Sequence, residues 1–323
     1  MNDAPSLKAA DIGIAIGSGS DVAMEASDMV DTACASANRQ VLLDTFSSIV
    51  VCVEYGRLIY DNLKKVIIYL LPAGTFCELW PILFPVLFGL PQPLSSIEMI
   101  IISMLTDCIA SMSLIKEKPE ADLLLRPPRR PTKDRLTNTK LLLQAYFIIG
   151  IPMLVCACAM AFRVFSSYGI PFSSLWLSYG SVVVNGVAVD PTQFKEILAH
   201  VQSTYFVTLV FMHYGTLFMI RTRRLSIIQQ PPIGPRKTRN LYIFGAMAIT
   251  LVLMLLFLLT SFFNKIFDTR APSVEYWFIR TSAFCVLTDL VAFGFGAGLV
   301  LWDETRKFFV RRYPRGFLAK IAW

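Results

Sequence analysis

Six long apolar runs set the terms for this chain: residues 66–88, 97–115, 141–165, 205–220, 241–263 and 283–302. Most approach the ~20 residues that a helix needs to cross the hydrocarbon core of a bilayer. The fourth is the shortest and suits a tilted helix with a thinner apolar stretch. A backbone inside lipid must satisfy its own polar groups, which restricts such runs to helices. The expected fold is therefore mainly α, a polytopic membrane bundle of six transmembrane helices. Composition agrees: 55% of the residues are hydrophobic, against ~45–50% in an average soluble domain.

The net charge of +7 suggests nucleic acid until its distribution is read. Eight bases, among them Lys116, Arg126 and Lys140, lie between the second and third runs. Six, from Arg221 to Arg239, separate the fourth and fifth, and six more, from Arg306 to Lys320, follow the sixth. The alternate connections are poor in base: none at 89–93, only Lys195 in 166–203, and Lys265, Arg270 and Arg280 between the fifth and sixth runs. This alternation follows the positive-inside rule, with both termini in the cytosol. It favours membrane lipid as the partner and argues against nucleic acid.

Two carboxylates sit inside adjacent apolar runs, Glu78 in the first and Asp107 in the second. A charge at the bilayer centre costs at least ~2.5–3.5 kcal/mol, so such residues read first as parts of an ion path. A protonated or paired carboxyl that only joins helices is the plainer alternative. Pro72, Gly74, Pro81 and Pro85 interrupt the first run. Proline frees a backbone carbonyl, and at membrane depth a freed carbonyl needs a partner. Thr75 precedes Glu78 by three residues, which on an α-helix puts both on one face. In the second run Ser103, Asp107 and Ser111 recur every four residues with Thr106 beside them, giving one polar stripe. Several oxygens on a kinked helix pair suit a hard cation; small hydroxyls that ease helix packing are the alternative. The turn Gly89-Leu90-Pro91-Gln92-Pro93 makes the two runs a hairpin. Glu78 and Asp107 then lie at similar depths, each roughly 15 Å from the turn at helical rise. His213 reads as a hydrogen-bonded packing residue, and Asp289 as reaching the outer interface.

Residues 1–61 form a different kind of segment from the membrane part, 62–323. A short strand over 11–17, a turn with an N-cap at Ser18-Gly19-Ser20-Asp21, a helix over 22–26 and a strand at Met29-Val30 give α/β texture. A helix over 42–65 follows and is expected to run into the first span. Sixty residues are too few for a doubly wound sheet, so the segment reads as the tail of one and the chain as incomplete at its start. Seven cysteines are present without a C-x-x-C pair, which favours buried free thiols over disulfides or zinc. No apolar stretch beside a basic start marks a cleavable leader.

These residues resemble a family. Asn2-Asp3-Ala4-Pro5 through Asp11-Ile12-Gly13 is similar to the hinge signature of P-type cation-transporting ATPases, and Gly19-Ser20-Asp21-Val22-Ala23 and Glu25-Ala26-Ser27-Asp28-Met29-Val30 continue it. The stretch Gly56-Arg57-Leu58-Ile59-Tyr60-Asp61-Asn62-Leu63-Lys64-Lys65 resembles the helix entering the fifth span of those pumps. Leu105-Thr106-Asp107, Arg126-Pro127-Pro128-Arg129, Arg221-Thr222-Arg223-Arg224 and Asp303-Glu304-Thr305-Arg306-Lys307 resemble the sodium/potassium- and proton/potassium-exchanging alpha subunits. The resemblance implies that the six spans are the last six of ten. It also implies that 1–61 is a remnant of the α/β phosphorylation domain with a stalk helix.

By the same resemblance Glu78 and Asp107 are cation ligands, joined by Ser103, Thr106 and Thr75. Ser103 stands where the family has another acid, Thr216 where an eighth-span aspartate is expected, and Ala248-Ile249 where two ninth-span glutamates are expected. Asn2 and Asp3 would lie near the phosphoryl site. Mg2+ and ATP would serve only the intact pump, and the cargo would be Na+, K+ or H+. No Asp-Lys-Thr-Gly-Thr string occurs, so the chain has no phosphate-accepting aspartate of its own. Residues 31–41 interrupt the family pattern.

The expected function is the carboxy-terminal membrane part of an ATP-driven monovalent cation pump in the plasma membrane. The expected partner is the missing amino-terminal half. A stand-alone, non-catalytic protein that binds a full-length pump is the alternative. Ser178-Tyr179-Gly180 lies where animal pumps hold a beta subunit, though a plain turn explains it. Arg223-Arg224-Leu225-Ser226 fits a basophilic kinase, though a positive-inside cluster explains that too.

Overall fold

The computed structural model describes residues 3–16, 20–31, 45–120, 122–127, 134–184, 186–223, 225–235, 238–267, 269–270, 292–313 and 316. The chain divides into two compact units. One holds Met1–Tyr60 with Ala121–Pro127, the other Asp61–Glu120 with Pro128–Trp323.

The first unit opens with α1 (Ala4–Ala9), β1 (Ile14–Ile16), α2 (Asp21–Ala26) and β2 (Met29–Asp31). The strands pair in parallel, Ile14 opposite Met29 and Ile16 opposite Asp31. Asp28 fixes the pairing from both sides: its carboxylate accepts the Gly13 amide at 2.9 Å and its own amide donates to the Gly13 carbonyl at 2.9 Å. The two three-residue strands form a single ladder. Helix α3 (Thr45–Leu70) starts here. In this unit Arg57 donates to the carbonyls of Leu123, Leu124 and Arg126 at 2.9–3.2 Å, tying loop 122–127 to the helix. The expected turn at Ser18-Gly19 and the interruption at 32–41 lie outside the described residues.

The second unit is helical. After α3 come α4 (Cys77–Phe88), α5 (Ser96–Ile101), α6 (Asp107–Ile115), α7 (Thr139–Leu143), α8 (Ile151–Ser167) and α9 (Phe172–Leu175). The hairpin β3 (Val183–Val184) and β4 (Val187–Ala188) leads to α10 (Pro191–Ile220), α11 (Tyr242–Leu259), α12 (Ser261–Phe267) and α13 (Ala292–Arg312). Three π-helical turns join pairs of these into longer rods: Leu71–Phe76 before α4, Ile102–Thr106 before α6 and Gln144–Gly150 before α8. Five rods are long and apolar enough to cross a membrane: Val50–Phe88, Ser96–Ile115, Thr139–Ser167, Pro191–Ile220 and Tyr242–Leu259. The sixth expected span, 283–302, lies largely outside the described residues; its described end belongs to α13.

Helix α10 corrects the expectation of a short, weak fourth span. It starts fourteen residues before Tyr205, in what reads as outer loop, and packs chiefly against α13 and α8. Its approach to α13 depends on paired glycines. A Cβ at Gly215 would lie 2.3 Å from the Gly296 carbonyl oxygen, and one at Gly296 would lie 2.6 Å from that of Phe211. Any larger residue at either position would push the backbones apart.

At the outer turn Gly89 caps α4 in the left-handed region, at φ 59°. Its carbonyl accepts the Tyr179 amide and the Ser178 hydroxyl, both at 3.1 Å, so the loop before β3 is fastened to the hairpin tip.

At the opposite ends of the helices several bases from the positive-inside clusters are buried rather than solvated. Arg221 and Lys307 are 0% exposed. Arg221 donates to Glu117 at 2.9 and 3.1 Å and to the carbonyls of Gln230 and Thr238, and Asn240 caps the second Glu117 oxygen at 2.8 Å. Lys65 pairs with Glu120 at 3.4 Å, and Lys307 with Asp303 at 2.8 Å. Burial lowers the Lys307 pKa, and the neighbouring Asp303 carboxylate works against that shift. Among the described cysteines all are free; Cys77 is buried, while Cys52 and Cys108 are exposed, against the expectation of uniformly buried thiols.

Candidate cation site

Both intramembrane carboxylates stand immediately after a π-turn. Pro72 has no N–H to donate to Ile68, and the turn over Leu71–Phe76 widens until the Cys77 amide reaches the Pro72 carbonyl five residues back. Glu78 follows directly. In the second rod the Ser103 hydroxyl bonds the Met99 carbonyl at 3.0 Å and the Thr106 hydroxyl bonds the Ile102 carbonyl at 2.7 Å. Such back-bonding competes with the α-helical ladder. The Asp107 amide then reaches the same Ile102 carbonyl across a π-turn. π-turns of this kind concentrate at functional sites.

The π-turns also explain where sequence spacing misplaces side chains. An extra residue per turn rotates the downstream residues by roughly 100° relative to an unbroken α-helix. Thr75 is exposed and its hydroxyl is bonded to the Leu71 carbonyl, while Glu78 is buried. The two do not share a face. Ser103 is half-buried, Thr106 and Asp107 are buried, and Ser111 is buried with its hydroxyl on the Cys108 carbonyl. Structure therefore brings Glu78, Asp107 and Thr106 inward, keeps Ser103 at the margin and turns Thr75 out. Asn2 lies outside the described residues, and Asp3 is exposed at the start of α1 with no side-chain cap bond. Asp289 lies outside the described residues as well.

Glu78 is 6% exposed and Asp107 1%, within Coulomb reach of one another. The Asp107 carboxylate also touches the backbone of the first π-turn: a Cβ on Gly74 would lie 3.6 Å from Oδ2. The freed Cys77 carbonyl, which Pro81 cannot bond, is taken by the Tyr205 hydroxyl of α10 at 3.1 Å. Among the described residues no aligned hydrogen bond reaches buried Glu78 Oε1 or either Asp107 oxygen, although His213 and Tyr69 both stand against Asp107. A buried, unsatisfied polar atom ordinarily costs about 1–3 kcal/mol, more if charged. Three such oxygens on two buried carboxylates within Coulomb reach of one another suit a cation. Among the described residues no three His, Cys, Asp or Glu side chains converge tightly enough to hold a metal ion by themselves. A hard cation here would need backbone or hydroxyl oxygens as well.

Sequence spacing missed the third side. His213 of α10, expected only to pack, places Nδ1 2.9 Å from Asp107 Oδ1, an ion-pair distance without hydrogen-bond alignment. Tyr69 stacks edge-on against its ring with centroids 6.1 Å apart and lies within electrostatic reach of Asp107. No spacing rule links residues 107 and 213. Glu98, 1% exposed, is a further buried acid. It forms a capping box with Ser95 and accepts Ser203 Oγ at 3.3 Å. Here a signal existed: Ser95-Ser96-Ile97-Glu98 has the Ser-x-x-Glu spacing of a helix start.

Comparison with known proteins bears on this cluster. A family described as "Cation transporting ATPase, C-terminus" matches residues 91–309. The sodium/potassium-transporting ATPase subunit alpha of Hydra vulgaris is 32% identical over 333 residues, covering 100% of this chain and 30% of that protein. The potassium-transporting ATPase alpha chain 2 of Rattus norvegicus is 35% identical over 326 residues, covering 97% of this chain and 29% of that protein. The human sodium/potassium-transporting ATPase subunit alpha-4 is 32% identical, with 100% and 30% covered. The chain thus spans about 30% of the length of the curated relatives it matches.

Proposed function

The chain belongs to the P-type cation-transporting ATPases, as a carboxy-terminal region of the sodium/potassium or proton/potassium alpha-subunit type, and on that premise we propose that Glu78 and Asp107 ligate the cation that such a pump carries. The observation that carries this reading is the pair of buried carboxylates within Coulomb reach of one another, each just past a π-turn, with three oxygens that lack an aligned hydrogen bond among the described residues. In this reading buried Thr106 and carbonyls of the two π-turns supply the further oxygens. Ser103 joins only if its hydroxyl leaves Met99, and Thr75 only if the first π-turn rewinds. The cargo in this reading is a monovalent cation: Na+, K+ or H+.

Residues 1–61 act in this reading as the end of a phosphorylation domain leading into a stalk. Helix α3 would carry movement of that domain to the π-turn at Leu71–Phe76 and so change the affinity at Glu78. ATP and Mg2+ serve in this reading only the intact pump, since no aspartate of this sequence lies in an Asp-Lys-Thr-Gly-Thr motif. A plasma-membrane location, cytosolic termini and assembly with an amino-terminal half are part of the same proposal.

Equilibrium binding of radioactive Rb+ and Na+ to the full chain in lipid nanodiscs tests the ligand assignment. Glu78→Gln and Asp107→Asn should each weaken binding by about tenfold or more, ~1.4 kcal/mol. Undiminished binding in the double variant would overturn it.

A further inference from the structure

We propose that His213 is a positioning residue that lies against the Asp107 carboxylate and must turn away for an alkali cation to bind there; this rests on the reading of Glu78 and Asp107 as the cation site.

The two oxygens of Asp107 have different neighbours. Oδ2 faces the backbone of Gly74, where a Cβ would sit 3.6 Å away. Oδ1 faces His213 Nδ1 at 2.9 Å. An ion in contact with Oδ1 and a ring nitrogen 2.9 Å from that atom contend for one place. The contact is close without being settled. Both nitrogens of His213 and both oxygens of Asp107 are buried and lack an aligned hydrogen bond. His213 is 2% exposed and Asp107 1%, so water does not take up the deficit at the protein surface. A purely structural histidine at this depth would be expected to complete at least one hydrogen bond. This one leans on the carboxylate, and the ring of Tyr69, which itself reaches Asp107, meets it at 70° with centroids 6.1 Å apart.

The arrangement gives α10 a direct part in cation affinity. The ring lowers the availability of Asp107 to an ion. A cation that binds must exceed this contact, so the ring sets a threshold that disfavours weakly attracted ions. Removing the ring removes the competitor. If His213 were instead a ligand, removing it would weaken binding; if it only filled space, the ring would not respond to the ion.

Two measurements on the full chain in nanodiscs decide this. The first is Rb+ equilibrium binding by wild type, His213→Ala, His213→Gln and His213→Ala with Asp107→Asn. His213→Ala should bind roughly five- to tenfold more tightly, and the gain should vanish when Asp107→Asn is added. Unchanged or weaker binding in a monodisperse His213→Ala overturns the proposal. His213→Gln, close to the ring in reach, should give a smaller gain and serves if the alanine variant does not fold. The second needs no variant at position 213. The chain has two histidines, so 15N-labelled imidazole gives two sets of resonances, and His200→Gln assigns them. Saturating Rb+ should shift the His213 nitrogens and leave His200 in place. A His213 signal that stays fixed while Rb+ is bound overturns the proposal. Absence of Rb+ binding in both wild type and His213→Ala would instead sink the cation-site reading, and this inference with it.

Discussion

Helix α10 and the next helix in the chain, α11, both run long enough to cross a bilayer, but 89% of the most apolar stretch of α10 is buried in protein against 28% for α11. Their compositions follow. From Tyr242 to Leu259, α11 has no charged residue, and Thr250 is the one hydroxyl buried along it. Within α10, Ser203, Thr204, Thr208, His213 and Thr216 are all buried. Each of the first three, and Thr216, places its hydroxyl on a carbonyl, a carboxylate or a sulfur. A helix facing lipid must be apolar all round because lipid offers no hydrogen-bond partner. A helix enclosed by other helices can carry polar groups because its neighbours satisfy them. Low hydropathy in a membrane segment therefore marks the centre of the bundle here, where function can be built, and not a weak span.

Three sets of substitutions would break or sharpen that contrast. The largest effect belongs to the end of α10. Arg221→Met leaves Glu117 buried without its cation, and about 3–5 kcal/mol of stability should be lost. Adding Glu117→Gln should restore much of it. Thermal unfolding of the chain in detergent, followed by loss of monodisperse protein, reads both, and equal stability of Arg221→Met and wild type would refute the buried-pair account. Next comes a pair of glycines. Gly215→Val on α10 drives a side chain into the Gly296 carbonyl and should cost about 3 kcal/mol. Gly245→Ala on α11 meets nothing within 4 Å and should be neutral or gain up to ~1 kcal/mol from helix propensity. Similar losses at both positions would show that α11 is enclosed as well. The smallest effect lies where the two helices touch. The Tyr214 hydroxyl meets Thr250 Oγ1 at 2.9 Å and the Met247 carbonyl at 3.2 Å. Tyr214→Phe should cost about 1 kcal/mol, and Thr250→Val in addition should cost less than the sum of the two alone.

Much of the bundle is legible in the chain because lipid imposes a rule that can be read one residue at a time. The runs at 66–88, 97–115 and 141–165 fall within described rods, and Gly89 closes the expected hairpin. What escaped reading is local winding. Pro72 announces a break, but not that the helix would widen into a π-turn and turn Thr75 away from Glu78. Ser103 and Thr106 give no sign of a second such turn. The base-rich clusters include Arg221 and Lys307, whose burial depends on Glu117 and Asp303 arriving beside them.

Sequence alone determined that this chain is mainly helical, has runs long and apolar enough to cross a membrane and sets one acid in each of two adjacent runs, because hydrophobic length and charge placement are properties of single segments. Tertiary structure alone decided which oxygens are left without partners and that His213 would lie against Asp107. Those outcomes depend on how helices far apart in the chain pack, and an α-helical period carries no information across a separation of that length.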